Sequence, residues 1–207
     1  MTTFYVHFRE QNMQGKNVLA FLKPTPPQSN YQVHAWQVLT GSAGATETFS
    51  YKAEIQVDVT SAGRKADNVI VSGRQIATAG QLYEAISPSG LSPKLIPASE
   101  TLANQKLTPN QCGVINKTSP FIQFTCNWYV NNRAVASMPY VDRNMTCTFD
   151  YEPRLYLMVA APPMIGQTYT LQNFSEMTAF QWQNSTTRVD VDVTRDSGMW
   201  TFSFKES

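Results

Sequence analysis

Apolar and polar side chains alternate along much of this chain, and this period of two constrains its fold most. The clearest case lies near the end, where Val189, Val191 and Val193 alternate with Asp190 and Asp192. Successive side chains of a β-strand point to opposite faces of its sheet, whereas an α-helix repeats about every 3.6 residues. The sequence therefore predicts half-buried strands, with the apolar face inward and the polar face outward.

A turn signal and a second alternating run follow that strand. The residues from Asp196 to Gly198 predict a tight turn, and Trp200, Phe202 and Phe204 then alternate with polar residues. Two alternating runs joined by a short glycine-containing link indicate a β-hairpin. We expect Trp200 and Phe202 to lie in the core.

The middle of the chain, from about residue 60 to residue 120, shows no long period of either kind. The stretch from Val69 to Val71 predicts a short strand, and Gln75 to Ile86 fits a strand pair or one short helix. Prolines and glycines recur too often for any long element. We expect a loop-rich segment with short strands.

Two stretches of the chain carry similar strings at an offset of 100 residues. Thr46 to Tyr51 (TETFSY) precedes the run from Ile55 to Val59, and Thr146 to Tyr151 (TCTFDY) precedes the run from Leu155 to Val159. Each copy reads as a strand, a bend and a second strand. Two interpretations stay open: related halves with repeat units near residues 31–60 and 121–160, or a chance match of strings common in strands.

The length of 207 residues suits one large β-sandwich. A chain of this size buries roughly 70% of the surface that its unfolded form exposes, so it needs no disulfide or metal for stability. We therefore predict an all-β fold, an antiparallel β-sandwich formed as a single domain over residues 1–207, with a loop-rich middle segment.

Charge and cysteine content narrow the function classes. The 16 basic and 15 acidic residues leave a net charge of +1, so nothing attracts a polyanion and nucleic acid is not an expected partner. The apolar runs fall far short of the roughly 20 residues of a membrane helix, so we expect no integral membrane segment. No signal-peptide pattern opens the chain, and three sparse cysteines fit a reducing compartment, so we predict a cytoplasmic location.

Common catalytic motifs are missing from the sequence: it has no G-x-S-x-G, no C-x-x-C and no P-loop. The two histidines, His7 and His34, fall on the polar phase of strands and are interpreted as solvated. Cys126 and Cys147 fall on inward faces, where cysteine serves as a small apolar residue. We therefore predict that the chain is not an enzyme and that it has no cofactor.

One acidic pair merits attention as a metal site. Asp190 and Asp192 are two residues apart, so both project from one face of their strand, where calcium could use them. Acidic residues on an exposed strand also discourage the strand from pairing with another chain, and we adopt that interpretation. We predict no metal site.

Aromatic residues on polar phases or in loops, beside asparagine and glutamine, are the candidates for ligand binding. Such residues suit stacking on sugars or a polar protein interface. The competing interpretation is that they cover sheet edges or pack under loops. The asparagine pair also predicts a hairpin turn, because asparagine tolerates positive φ. The candidates are Tyr129, Asn131, Asn132, Tyr140, Tyr156 and Trp182.

Three strings in the C-terminal third carry a family resemblance. They run from Asn144 to Tyr151 (NMTCTFDY), from Gly166 to Leu171 (GQTYTL) and from Met199 to Phe202 (MWTF). In them the chain resembles the bacterial rhizosphere-induced, RhiA-like protein family, with its Asn/Thr-Phe strand, Gly-Gln turn and closing aromatic strand. The resemblance implies a bacterial, cytoplasmic, all-β protein linked to plant-associated life, and it brings no catalytic or ligand-binding residues.

We therefore expect a RhiA-like, non-catalytic protein that acts through surface binding or through self-association as a homo-oligomer. Two alternatives stay open. One is a lectin-like protein with a carbohydrate ligand. The other is a membrane-active sandwich of the pore-forming kind, whose support is the presence of tyrosine and tryptophan on loops.

Overall fold

The computed structural model describes residues 1–11, 13, 15–22, 31–62, 69–88, 92–118, 122–150, 154–160, 168–169, 177–183 and 185–207. These residues form a mostly β structure with one short helix, so the all-β prediction is confirmed. The elements are β1 (Thr2–Phe8), β2 (Asn17–Leu22), β3 (Gln32–His34), β4 (Gln37–Leu39), β5 (Thr46–Tyr51), β6 (Ile55–Ala62), β7 (Val69–Val71), β8 (Gln75–Ala77), β9 (Leu82–Ile86), β10 (Lys94–Pro97), α1 (Glu100–Lys106), β11 (Gln111–Asn116), β12 (Phe124–Val130), β13 (Arg133–Val141), β14 (Thr146–Asp150), β15 (Arg154–Ala160), β16 (Thr168–Tyr169), β17 (Thr178–Gln181), β18 (Arg188–Asp196) and β19 (Met199–Glu206).

The chain divides into two compact units. Unit 1 comprises residues 1–23, 33–53 and 153–207, and unit 2 comprises residues 24–32 and 54–152. The prediction of a single domain over residues 1–207 stays a prediction. In the described part of the chain, no helix is long and apolar enough to cross a membrane.

The first sheet of unit 1 has the strand order β19-β18-β1-β5. Its outer pairs are antiparallel, and its central pair, β1 with β18, is parallel. The alternation predicted from the sequence is visible here, because Val189, Val191 and Val193 are fully buried while Asp190 and Asp192 lie on the other face. The parallel pair adds what alternation alone does not predict, since period two is the same for both strand directions.

The second sheet of unit 1 has the order β17-β15-β2-β4, with every pair antiparallel. It packs on the first sheet: the rings of Phe180 and Phe204 stack with centroids 4.2 Å apart, and Trp36 meets Phe49 edge-on at 5.4 Å. Its β2 strand is buried along nearly its whole length, on both faces. The predicted sandwich packing is thus present within this unit.

Unit 2 also contains two sheets. One has the order β10-β9-β11-β14, and the other runs β13-β12-β6-β7 with β8 also paired to β6. Trp128 and Phe149 join their inner faces with ring centroids 5.4 Å apart. The pair β9 and β11 is parallel, and every other described pair of this unit is antiparallel.

The middle segment consists of short strands and the helix α1. The residues that fitted either a strand pair or a helix form β8 and β9. The helix begins at a serine cap, because the Ser99 hydroxyl accepts a hydrogen bond from the Leu102 amide at 3.3 Å. It packs its buried Ala103 with Leu82 and Ile115 on the first sheet of unit 2.

Two predictions about the hairpins have different outcomes. Asn131 and Asn132 form the turn between β12 and β13 with φ values of 51° and 63°, so the predicted turn is confirmed. Trp200 and Phe202 are only half-buried, so their placement in a closed core was wrong. They lie on the outermost strand of their sheet, where no further strand covers them among the residues that the structure describes.

Tyr151 and most of residues 166–171 lie outside the described residues.

Candidate functional site

The edge strand β19 of unit 1 carries a row of aromatic side chains. Phe202 and Phe204 lie opposite Val193 and Val191 of β18 and share their face, yet the valines are fully buried and the phenylalanines are half-exposed. Trp200 continues the same row. The row is therefore an apolar face that the described part of unit 1 covers incompletely.

A groove of about 420 Å³ opens beside this row. Trp200 and Phe202 form one wall, and Met158 and Val159 of β15 form the other. Met199, which is 70% exposed, stands at its end. An apolar groove that ends at a sheet edge can receive both side chains and an additional strand.

A second cavity of about 370 Å³ lies between loops of unit 1. The β1–β2 and β4–β5 loops line it with polar and small residues, among them Lys16, Thr40 and Ser42. Its lining lacks aromatic residues, so it offers no stacking surface. The groove beside β19 is the better candidate for a binding site.

The six ligand-binding residues predicted from the sequence do not share one unit. Tyr129, the asparagine turn and Tyr140 belong to unit 2, whereas Tyr156 and Trp182 belong to unit 1. Tyr140 is 73% exposed and has a φ of 57°, which is rare for a bulky residue. Of the predicted aromatic side chains, it is the one presented most openly to a ligand.

Tyr129 lies in a polar network on one face of its sheet. The guanidinium of Arg74 covers its ring at 3.6 Å from the centroid and lies 3.6 Å from a carboxylate oxygen of Asp58. Asp58 is buried and accepts a hydrogen bond from Asn127 at 2.9 Å. Burial and the neighbouring Asp58 raise the pKa of Tyr129 to about 12. One ring face of Tyr129 is thus already occupied by Arg74.

Tyr156 and Trp182 are buried, which fits the competing interpretation that such rings cover sheet edges or pack under loops better than a ligand-binding role. Tyr156 is 7% exposed and packs with Leu19, Phe21 and Val33 on the outer face of the second sheet of unit 1. Alternation misassigns a residue on a strand that is buried on both faces. Trp182 is 4% exposed because, just past the end of β17, its ring turns inward onto Phe4 and Tyr51, each at 5.1 Å.

His7 belongs to a hydrogen-bonded line on the outer face of the first sheet of unit 1. Its Nδ1 lies 2.8 Å from the Thr46 hydroxyl, and its Nε2 lies 2.8 Å from Asp190, so it is less solvated than the sequence indicated. Arg188 holds the same carboxylate with two hydrogen bonds of 2.7 Å. A hydroxyl, an imidazole and a carboxylate in line can activate a nucleophile. None of the three residues lines either of the two cavities described above.

The acidic pair of β18 is matched by basic side chains. Asp190 is paired with Arg188 and His7, and Asp192 with Arg9 at 2.6 Å. Hydrogen bonds from Arg188 and His7 hold the pKa of Asp190 well below its usual range. In the described residues, no group of three histidine, cysteine or acidic side chains is arranged to hold a metal ion.

The three cysteines are buried in unit 2 as free thiols, as the sequence indicated for Cys126 and Cys147. Cys147 lies 3.0 Å from the Tyr31 hydroxyl and 3.4 Å from the indole nitrogen of Trp128. Burial raises the pKa values of Cys112 and Cys126, which keeps them as unreactive thiols. Cys112 and Cys126 are thus packed as small apolar residues.

Sequence reasoning missed the groove because its residues read as core. Trp200 and Phe202 alternate like buried residues, and Met158 and Val159 belong to a strand that also alternates. What exposes them is the place of β19 at the end of its sheet. No local pattern reports strand order, so the signal was absent from the sequence.

Comparison of the chain with models of protein families, with curated proteins and with solved structures finds no match in any of the three.

Proposed function

We propose that this chain is a non-catalytic, RhiA-like bacterial protein that acts by self-association, pairing the β19 edge of one copy with that of another. The observation that carries the proposal is the half-exposed aromatic row of β19 beside its groove. Natural proteins usually protect an edge strand by making it short or by placing proline or lysine on it. β19 has eight residues and no proline, and its charged residues, Lys205 and Glu206, stand at its end.

The pattern of β19 is self-complementary. In an antiparallel pair of two copies centred on Phe202, Trp200 lies opposite the partner's Phe204, and Phe202 lies opposite the partner's Phe202. Because the row occupies every second residue, all three aromatic side chains meet aromatic side chains on one face. Aromatic cross-strand pairs are favourable, and no like charges face each other in this register.

The balance of charge supports association of identical copies. The net charge of +1 produces little repulsion between copies, and proteins near zero net charge associate more readily. Three free cysteines and no disulfide in the described residues support the proposed cytoplasmic location. A two-fold pairing uses the same surface on both copies, which is the commonest way to form a dimer.

The test introduces charge where the two strands would face each other. Thr201 and Ser203 are exposed. In this register Thr201 of one copy lies opposite Ser203 of the other copy. We expect the wild type to sediment as a dimer and the double variant Thr201→Lys, Ser203→Lys as a monomer, because like charges would oppose each other across the pair.

Mixing gives the decisive readout. The lysine variant mixed with Thr201→Glu, Ser203→Glu should form a heterodimer, because opposite charges then face each other. Thr48→Lys, an exposed site on the opposite edge of the same sheet, is the matched control and should stay dimeric. A wild type that stays monomeric at every accessible concentration, or a lysine variant that dimerises like the wild type, would contradict the proposal.

A second candidate function is lectin-like carbohydrate binding, and Tyr140 is the observation that favours it. A tyrosine that is 73% exposed at positive φ offers a ring surface on which a sugar can stack. On a glycan array we expect Tyr140→Phe to keep any sugar bound by the wild type and Tyr140→Ala to lose it. A wild type that binds no glycan would remove this candidate.

A further inference from the structure

The first sheets of the two units have the same sequence of strand directions. In unit 1 the order β19-β18-β1-β5 gives an antiparallel, a parallel and an antiparallel pair. In unit 2 the order β10-β9-β11-β14 gives the same succession. Parallel pairs are the less frequent kind, so one parallel pair at the same place in both sheets is informative.

The parallel pairs also begin at equivalent hydrogen bonds. In unit 1 the Thr3 amide donates to the Thr187 carbonyl at 2.9 Å. In unit 2 the Gly113 amide donates to the Gln81 carbonyl at the same distance. From these bonds onward, both parallel pairs keep the same register, one residue of each strand at a time.

The neighbouring antiparallel pairs end at equivalent hydrogen bonds as well. The Ser207 amide donates to the Arg188 carbonyl at 3.0 Å, and the Ala98 amide donates to the Leu82 carbonyl at 2.9 Å. Thr187 and Gln81 accept the hydrogen bonds from the parallel strands β1 and β11. Arg188 and Leu82 are the next residues along the chain. Ser207, directly after β19, and Ala98, directly after β10, therefore hold equivalent places in the two sheets.

The second sheets correspond in the same way. Ile55 of β6 and Leu155 of β15 lie 100 residues apart, and each pairs antiparallel with a strand on both sides. In the first sheets the correspondence between β5 and β14 differs slightly from the sequence match, because Ser50 and Thr148 hold equivalent places. The slip is two residues, which keeps every side chain on the same face.

The order of the strands along the chain differs between the two units. In unit 1 the strands β1, β2, β4 and β5 come first, and β15, β17, β18 and β19 come last. In unit 2 the counterparts of the last group, β6, β8, β9 and β10, come first, and β11 to β14 follow. We infer that the two units are copies of one eight-stranded module and that unit 2 is its circularly permuted form, in which residues 98–110 connect the two places that Ser207 and Met1 hold in unit 1.

The outer faces of the two copies differ as this inference requires. Residues 98–107 of unit 2 cover the face that carries Leu82 and Ile115. The equivalent places in unit 1 hold Arg188 and Tyr5, in a polar face with a guanidinium 4.1 Å from the tyrosine ring. The outer face of the first sheet is apolar in unit 2, where residues 98–107 cover it. It is polar in unit 1, where no described segment covers it.

The copies also differ at the edge used in the proposed function. The strand equivalent to β19 is β10, which has four residues and carries Lys94 and Pro97. Short length, lysine and proline are the usual protections of an edge. One copy of the module is thus protected against strand addition, and the other keeps a long aromatic edge.

The experiment is a full-length circular permutant. A short glycine–serine linker joins Ser207 to Met1, and the chain is opened between Pro109 and Asn110, which are exposed. Unit 2 then carries the termini, as unit 1 does now, and we expect a cooperative melt within a few degrees of the wild type. The control permutant has the same linker and opens between Cys126 and Asn127, inside β12, and it should not fold.

A measurement on the wild type decides the matter independently of how the permutant folds. Nuclear Overhauser contacts should show parallel neighbours in register for Phe4 with Val189 and for Val114 with Tyr83. Antiparallel contacts for either pair, or a permutant as unfolded as its control, would overturn the inference. The register of the parallel pairs is independent of whether the chain dimerises.

Discussion

At the scale of single residues, some sites of this protein leave no room for a side chain. A Cβ placed on Gly41 would lie 2.2 to 2.8 Å from three ring atoms of Phe8. Phe8 is fully buried, so its ring has no space into which it can turn away. Gly41 is therefore required by packing.

We expect Gly41→Ala to lower the free energy of unfolding by about 1–3 kcal/mol, the usual cost of an overpacked core. Gly73 is the matched control, because its Cβ would meet nothing closer than 3.9 Å. Gly73→Ala should change stability by less than about 0.5 kcal/mol. Denaturant melts of both variants measure the difference, and equal effects would contradict the packing argument.

A second residue-scale prediction concerns Asp190. Arg188 and His7 hold its pKa below the usual range, so its charged form stabilises the folded state. That contribution is complete above the unfolded-state pKa of about 4 and is lost as the pH falls below it. We expect the unfolding free energy of the wild type to fall more steeply than that of Asp190→Asn between about pH 5 and pH 2. Chemical denaturation at several pH values measures both slopes, and Arg188→Gln should flatten the slope similarly; parallel slopes for all three proteins would refute this account.

At the scale of elements, the hairpin of β12 and β13 shows how a turn constrains its residues. Asn131 and Asn132 both have positive φ, as a two-residue turn of type I′ requires. Because glycine adopts positive φ without strain, we expect Asn132→Gly to keep or raise stability, by up to about 1 kcal/mol. Asn132→Val should cost about 1–2 kcal/mol, because a branched side chain resists this conformation.

Thermal melts of the two variants measure this difference. A valine variant as stable as the glycine variant would show that the turn is not formed as described. If Asn132→Gly keeps any glycan binding found for the wild type, the turn serves the fold and Asn132 is not a ligand contact.

The fold prediction was most successful for isolated elements. The alternation of Val189 to Val193 predicted a half-buried strand, and β18 has that burial pattern. The same reasoning placed Tyr156 outside and Trp200 inside, and both assignments were wrong. Alternation reports which residues share a face, and the neighbours of that face decide how deeply it is buried.

At the scale of the whole molecule, self-association has a thermodynamic consequence. A folded dimer is stabilised by mass action, so its melting temperature rises with protein concentration. We expect this rise for the wild type and not for the variant Thr201→Lys, Ser203→Lys. Differential scanning calorimetry at several concentrations measures it, with Thr48→Lys following the wild type. A melting temperature independent of concentration in the wild type would oppose dimerisation.

The repeated module also belongs to this scale. The match of Thr46–Tyr51 with Thr146–Tyr151 left relatedness and chance equally open in the sequence. The strand pairings supply what the match lacked, because the ladders of β1 with β18 and of β11 with β9 advance in step. Equivalent strands follow one another in the same order along the chain, but unit 1 takes its strands from the two ends of the sequence and unit 2 takes its strands from the middle. The relation between the units is therefore visible in the strand pairings and not in the order of strands within each unit.

The sequence by itself determined the all-β class, the faces shared along the alternating strands, the asparagine turn and the burial of Cys126 and Cys147. All of these depend on contacts between residues close in the chain or on the simple transfer of apolar side chains from water. Only the tertiary structure decided which strand lies at the edge of its sheet, that Tyr156 is covered, and which basic side chains pair with Asp190. Those outcomes depend on pairings between segments far apart in the chain, and a period of two is the same whichever strand lies alongside.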